Sequence, residues 1–216
     1  MILLDCMCDK CKNRTEKINR WTLACKAFPN GIPTDVLFFS DPSSAPECNN
    51  GIKFEDLMNT MTTLDNSLAT SLRTRVCQGA TKLVTVDLPN VTSLGSYAFY
   101  QCTGLITCKL PKLTSVSTQT WYGCTNLEHA DCGQLASIPA QTFNACTSLT
   151  ELILRKTDGI CTLTNINGVN NTAIGKGTGY IYVPAALLED YKAATNWSTF
   201  AAQFRAIEDY PEICGE

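Results

Sequence analysis

Charge is scarce in this chain, and histidine scarcer. Of 216 residues only 17% are charged, 17 basic against 20 acidic, and there is one histidine, His129. The formal balance of −3 comes without a basic stripe, which excludes nucleic acid as the main partner. A single imidazole leaves little room for general-base or histidine-ligated metal chemistry. No run approaches the roughly eighteen uninterrupted apolar residues of a membrane-spanning helix. The opening Met1-Ile2-Leu3-Leu4-Asp5-Cys6 has no basic flank and meets an acid at once, so no secretory signal peptide is expected. Apolar residues make up 44%, too many for a disordered tail and enough for one large or two small domains. Cysteine alone is abundant. There are 13, an odd number that cannot pair fully within one chain.

Their positions reveal a repeat. Cys102-Thr103-Gly104-Leu105, Cys124-Thr125-Asn126-Leu127 and Cys146-Thr147-Ser148-Leu149 recur every 22 residues, and one period earlier stands Ala80-Thr81-Lys82-Leu83. Further columns keep the register: Val86, Cys108, Ala130 and Leu152; Leu88, Leu110, Cys132 and Leu154; Val91, Leu113 and Leu135; Leu94, Val116 and Ile138; Phe99, Trp121 and Phe143. Within a unit, Cys108 and Leu110 alternate as on a short strand, and Leu113 and Val116 return inward after a Pro-Lys turn. Such a unit cannot bury its own apolar edge, so neighbours must stack into a solenoid. Residues 80–160 are expected to form a right-handed solenoid with a parallel strand ladder. Residues 71–79 read as the tail of a degenerate earlier unit, Leu72 beneath Leu94 and Cys77 beneath Phe99.

The unit Leu83-Val84-Thr85-Val86-Asp87-Leu88-Pro89-Asn90-Val91-Thr92-Ser93-Leu94-Gly95-Ser96-Tyr97-Ala98-Phe99 resembles the BspA-like leucine-rich repeats of bacterial surface and mobile-element proteins. The resemblance covers residues 71 to about 210; later units depart from it where Ala98 becomes Thr120 and Thr142. It implies an α/β leucine-rich-repeat solenoid that serves as a binding scaffold. Residues 161–216 are expected to end it. Tyr180-Ile181-Tyr182-Val183-Pro184 is an alternating strand stopped by proline, and Leu187, Leu188 and Tyr191 share a helical face. A second helical stretch follows with Phe200, Phe204 and Ile207, and Trp197 pins both helices as a cap.

Residues 1–55 are a different object. Cys8-x-x-Cys11 with Cys25 and Cys48, and Cys6 to spare, can supply four thiolates to a tetrahedral structural zinc; disulfides and reduced packing cysteines are the alternatives. Cys25-Lys26-Ala27-Phe28-Pro29-Asn30-Gly31-Ile32-Pro33 and Asn50-Gly51-Ile52-Lys53-Phe54-Glu55 resemble short uncharacterised bacterial cysteine-rich proteins, which implies no reaction. The turn-rich apolar hooks suit a docking module. Residues 56–79 are expected to join the modules, by an amphipathic helix through Leu57, Met58, Met61, Leu64, Leu68 and Leu72 or by failed repeats.

No catalytic residue is assigned. His129 falls in an outward column while its cysteine neighbours point inward, and Glu208-Asp209 reads as solvated charge. The outward strand positions Thr85, Asp87, Thr107, Lys109, His129, Asp131 and Glu151 form the candidate binding surface. The expected function is non-enzymatic. A binding repeat without a signal peptide suits a phage or phage-like particle, with residues 1–55 docking to virion proteins and the solenoid meeting a host-surface protein or glycan. A cytosolic metal-stabilised adaptor and a bacterial surface adhesin are the alternatives.

Overall fold

A computed structural model of the protein describes residues 61–67 and 69–215, together with the backbone of 14–17 and 23–25. In the amino-terminal part, Arg14–Lys17 (β1) and Leu23–Cys25 (β2) pair antiparallel. Cys25 ends β2, whereas Cys6, Cys8, Cys11 and Cys48 lie outside the described residues.

From residue 63 the chain winds as a solenoid. One strand of each coil joins a seven-stranded parallel sheet: Thr63–Asp65 (β3), Thr85–Asp87 (β5), Thr107–Lys109 (β7), His129–Asp131 (β9), Glu151–Ile153 (β11), Tyr180–Val183 (β13) and Phe204–Ala206 (β14), adjacent in that order. The register is that of the sequence repeat, Thr85↔Thr107↔His129↔Glu151. It is fixed because the middle residue of each strand, Leu64, Val86, Cys108, Ala130 or Leu152, is buried, and a one-residue slip would turn it to solvent. A second row of two-residue strands runs Ser71–Leu72 (β4), Ser93–Leu94 (β6) and Ser115–Val116 (β8), then Ser137–Ile138 (β10) beside Thr162–Leu163 (β12). The row breaks between β8 and β10 for a covalent reason. Gly95 N–H donates to Leu72 O at 2.8 Å, Ser117 N–H to Leu94 O at 3.2 Å and Thr164 N–H to Ile138 O at 3.1 Å. Pro139 occupies that column in the coil between and has no N–H to give Val116 O.

Residues 61–67 and 69–79 belong to a coil of their own, carrying β3 and β4. The helix expected through Leu64 and Leu72 is absent from the described residues, since both side chains are buried on strands β3 and β4. The reason is that eight residues separate them, as they do Val86 from Leu94 and Cys108 from Val116, so two strands and a turn satisfy the same apolar spacing.

The core is a set of columns along the solenoid axis. Leu83, Leu105, Leu127 and Leu149 are all fully buried. Trp121 stacks on Phe143 with ring centroids 4.9 Å apart and planes 9° from parallel, and on Phe99 at 6.1 Å and 15°. Where threonine replaces Ala98 the hydroxyl is satisfied locally: Thr120 Oγ1 donates to Ser117 O at 2.7 Å and Thr142 Oγ1 to Pro139 O at 2.8 Å. The repeat cysteines form a ladder, Cys102 Sγ donating to Cys77 O at 2.8 Å, Cys124 Sγ to Phe99 O and Cys146 Sγ to Trp121 O, both at 3.0 Å. All seven described cysteines with placed side chains are buried and unpaired; burial pushes the thiols of Cys77, Cys108, Cys124 and Cys132 up, and that of Cys161 to about 12. They pack as small apolar residues.

Each coil turns at two left-handed positions four residues apart. One column is Arg75, Tyr97, Gln119 and Gln141, with φ of 61°, 61°, 57° and 63°. The other is Gly79, Gln101, Gly123 and Ala145, at 73°, 56°, 75° and 62°.

The fifth coil is longer, since its partners are Ser137↔Thr162 and Glu151↔Tyr180. The extra length includes a 3-10 turn, Ile166–Gly168, begun by Asn165 Oδ1 accepting from Asn167 N–H at 2.9 Å. After β13 come a 3-10 turn (Ala185–Leu187), a helix (Leu188–Ala193, α1) and a 3-10 stretch (Trp197–Gln203). Tyr191, Trp197 and Phe200 are buried in the same core as the repeats. Two of them clamp one peptide: Cys161 N–H donates to Tyr191 Oη at 2.7 Å and Trp197 Nε1 to Cys161 O at 2.6 Å. Phe204, expected on a helix, begins β14 instead, because it extends the sheet beside Ile181. Glu208 is not free charge either. Its carboxylate accepts from Ala185 N–H at 3.2 and 3.0 Å.

Candidate functional site

Alternation along the strands of the large sheet leaves two outward columns. The first runs Thr85, Thr107, His129 and Glu151; the second runs Asp87, Lys109, Asp131, Ile153 and Tyr182. Every candidate surface residue therefore lies on one face. His129 Nδ1 is 2.5 Å from Glu151 Oε2 on the next strand, and its Nε2 is 3.7 Å from Glu128 Oε2. Asp131 is held twice: Arg155 Nε donates to Oδ2 at 2.9 Å and Gly133 N–H to Oδ1 at 3.0 Å. Gly133 must be glycine, since its φ is +46° and a Cβ would stand 2.3 Å from Pro111 O.

Beyond Asp131 the second column turns apolar. Ile153 and Tyr182 gather Ile207, Tyr210 and Ile213 into a small core of their own, with the rings of Tyr182 and Tyr210 edge to face at 5.4 Å. Beside it Arg205 lies 4.3 Å over the Tyr180 ring. This core seats a short helix, Pro211–Cys214 (α2), against the sheet face. The sheet floor and α2 enclose a cleft of about 660 Å³ that Asp87, Thr107, Lys109, His129, Asp131, Glu151, Arg155, Glu212 and Ile213 help to line. Six of the seven candidate residues meet there; Thr85 shares the face but not the lining.

Arg155 and Glu212 escaped the sequence reasoning. Arg155 was within reach, because it is one alternation step beyond Ile153. Nothing local marks Glu212, which arrives only when the chain end folds back. Among the described residues no group of three or more histidine, cysteine or acidic side chains is placed to hold a metal, and no helix is long and apolar enough to cross a membrane.

In-register short parallel strands, leucine columns and stacked coils define a leucine-rich-repeat solenoid. The BspA type leucine rich repeat region, in six copies, matches residues 59–173, and the chain belongs to that family. The match takes in the coil before residue 80. Among solved structures, a leucine rich cell surface protein from Faecalibacterium prausnitzii is similar at 17% identity with a TM-score of 0.31, the likeness covering 64% of this chain and 43% of that one. No curated protein matches the sequence.

Proposed function

We propose that this chain is a non-enzymatic binding protein whose main sheet face engages a protein or glycan at a bacterial surface. One observation carries the reading: the repeat core holds a ladder of outward, mostly polar side chains in register from Thr85 to Glu151, and α2 turns part of that ladder into a walled cleft. A rigid scaffold with free choice of outward residues is suited to recognition. The narrower reading is that the chain acts as a component of a phage or phage-like particle. In it, residues 1–55 dock to the assembly, with structural zinc on Cys8, Cys11, Cys25 and Cys48. The segment through Tyr191 and Trp197 serves as the cap that keeps the last coil soluble.

Labelled protein should adhere to cells of the host bacterium, and Thr107→Trp, which fills the cleft floor, should abolish adhesion while leaving circular dichroism unchanged. Full adhesion by that variant would sink the face as the binding surface. Mass spectrometry of purified particles tests the narrower reading, and absence of the chain from them removes it.

A further inference from the structure

Ile153 and Tyr182 follow Asp131 in the second outward column of the sheet, yet they are only 5% and 2% exposed. Their cover is the end of the chain. Ile207, Tyr210 and Ile213 close over them as a core separate from the one inside the coils. The cover is lightly seated compared with what it hides. Tyr210 and Ile213 are partly buried, whereas Pro211, Glu212 and Gly215 are exposed. The backbone bonds of the segment close on themselves, Ile213 N–H donating to Tyr210 O at 3.1 Å and Gly215 N–H to Pro211 O at 2.9 Å. Lifting it about Tyr210 therefore keeps both bonds, and leaves the inward residues Leu152, Ile181 and Val183 in the main core. Segments with few buried apolar contacts are the ones that open at least cost.

Resting on the sheet-face reading above, we infer that residues 210–215 are a strap that holds this part of the face closed, and that a partner protein displaces it by laying an aromatic or aliphatic side chain on Ile153 and Tyr182. The chain itself shows what the floor accepts: the Tyr210 ring meets Tyr182 edge to face at 5.4 Å, and Ile213 packs into the same cluster. A bare apolar floor would invite non-specific association; a cover that yields only to a matching side chain restricts the choice of partner. A glycan carries no side chain to replace Tyr210 or Ile213, so glycan becomes an outcome of the test.

Ile213→Ser removes one anchor of the strap and Tyr210→Ser the other. Each full-length variant is mixed with anilinonaphthalene sulfonate, a dye that reports exposed apolar surface. Both should brighten the dye several-fold over the parent with unchanged circular dichroism, and adding Ile153→Ser to Ile213→Ser should reverse the gain. A site open about one-tenth of the time gains about tenfold in apparent affinity when held open, so Ile213→Ser should half-saturate host cells at about a tenth of the parent concentration. Protease treatment of the cells should abolish that adhesion. No brightening in either variant, or loss of the circular dichroism signal in both, would overturn the inference. So would brightening without tighter adhesion, or adhesion that survives the protease, which would point to a glycan. Full adhesion by Thr107→Trp removes the face reading instead, and the dye result, which needs no partner, still decides whether the strap lifts.

Discussion

Ala145→Gly should stabilise the protein and Gly123→Ala should destabilise it, although both residues sit one repeat apart in one column. Their φ values are 62° and 75°, so each needs the left-handed conformation. An L side chain there costs about 1–2 kcal/mol, while glycine loses about 0.4–1 kcal/mol more backbone freedom on folding. For Ala145→Gly the strain relieved exceeds the freedom lost, for a gain of about 0.5 kcal/mol. Gly123→Ala reverses the sign, at about 1 kcal/mol. Packing does not change that sign, because a Cβ at 123 would meet the Gln101 Cγ at 3.3 Å, and that flexible chain can yield. At roughly 2–4 °C per kcal/mol for a chain of this size, the two variants should melt about 4 °C apart. Urea unfolding followed by tryptophan fluorescence gives both free energies, provided the slopes match the parent's. The reasoning fails if Ala145→Gly lowers the midpoint or Gly123→Ala leaves it unmoved.

Trp121→Ala removes the middle ring of the stacked column, fully buried between Phe99 and Phe143. A loss of about 3–5 kcal/mol is expected in a urea titration followed by circular dichroism. Stability should also fall in alkali. The Cys161 thiol is raised from 9.0 to about 12 by burial, so its contribution is whole below pH 9 and disappears as pH rises to about 12, where the unfolded chain gains by ionising. Unfolding free energies measured across that window should decline, and Cys161→Ala should flatten part of the slope. The seven buried thiols should resist a thiol reagent until denaturant is added. Elemental analysis should find one zinc per chain, reduced by Cys8→Ser; a metal-free protein would leave the other two states of the amino-terminal cysteines.

The repeat was plain from residues such as Leu83, Leu105, Leu127 and Leu149, because a solenoid places residues of equal sequence phase in one environment. The same logic located the outward ladder from Thr85 to Glu151. It failed where phase and contact part company. Leu64 and Leu72 fit helical spacing as well as two strands, and only a neighbouring coil to pair with selects the second. Glu212 reaches the cleft through Tyr210 and Ile213 packing on Ile153 and Tyr182, a contact across sixty residues that no local pattern encodes. Phe204 was placed on a helix face because its spacing from Phe200 is four, while the unpaired edge of β13 claims it for the sheet.

The proline at 139 gives the molecule a seam. A solenoid unfolds by separating coil from coil, and each interface resists in proportion to the bonds that cross it. Between the third and fourth coils one rung of the second strand row has no donor. That interface is therefore the place where local opening under tension should begin. The aromatic stack from Phe99 to Phe143 spans the same seam, fastening from within what the backbone leaves open at the rim.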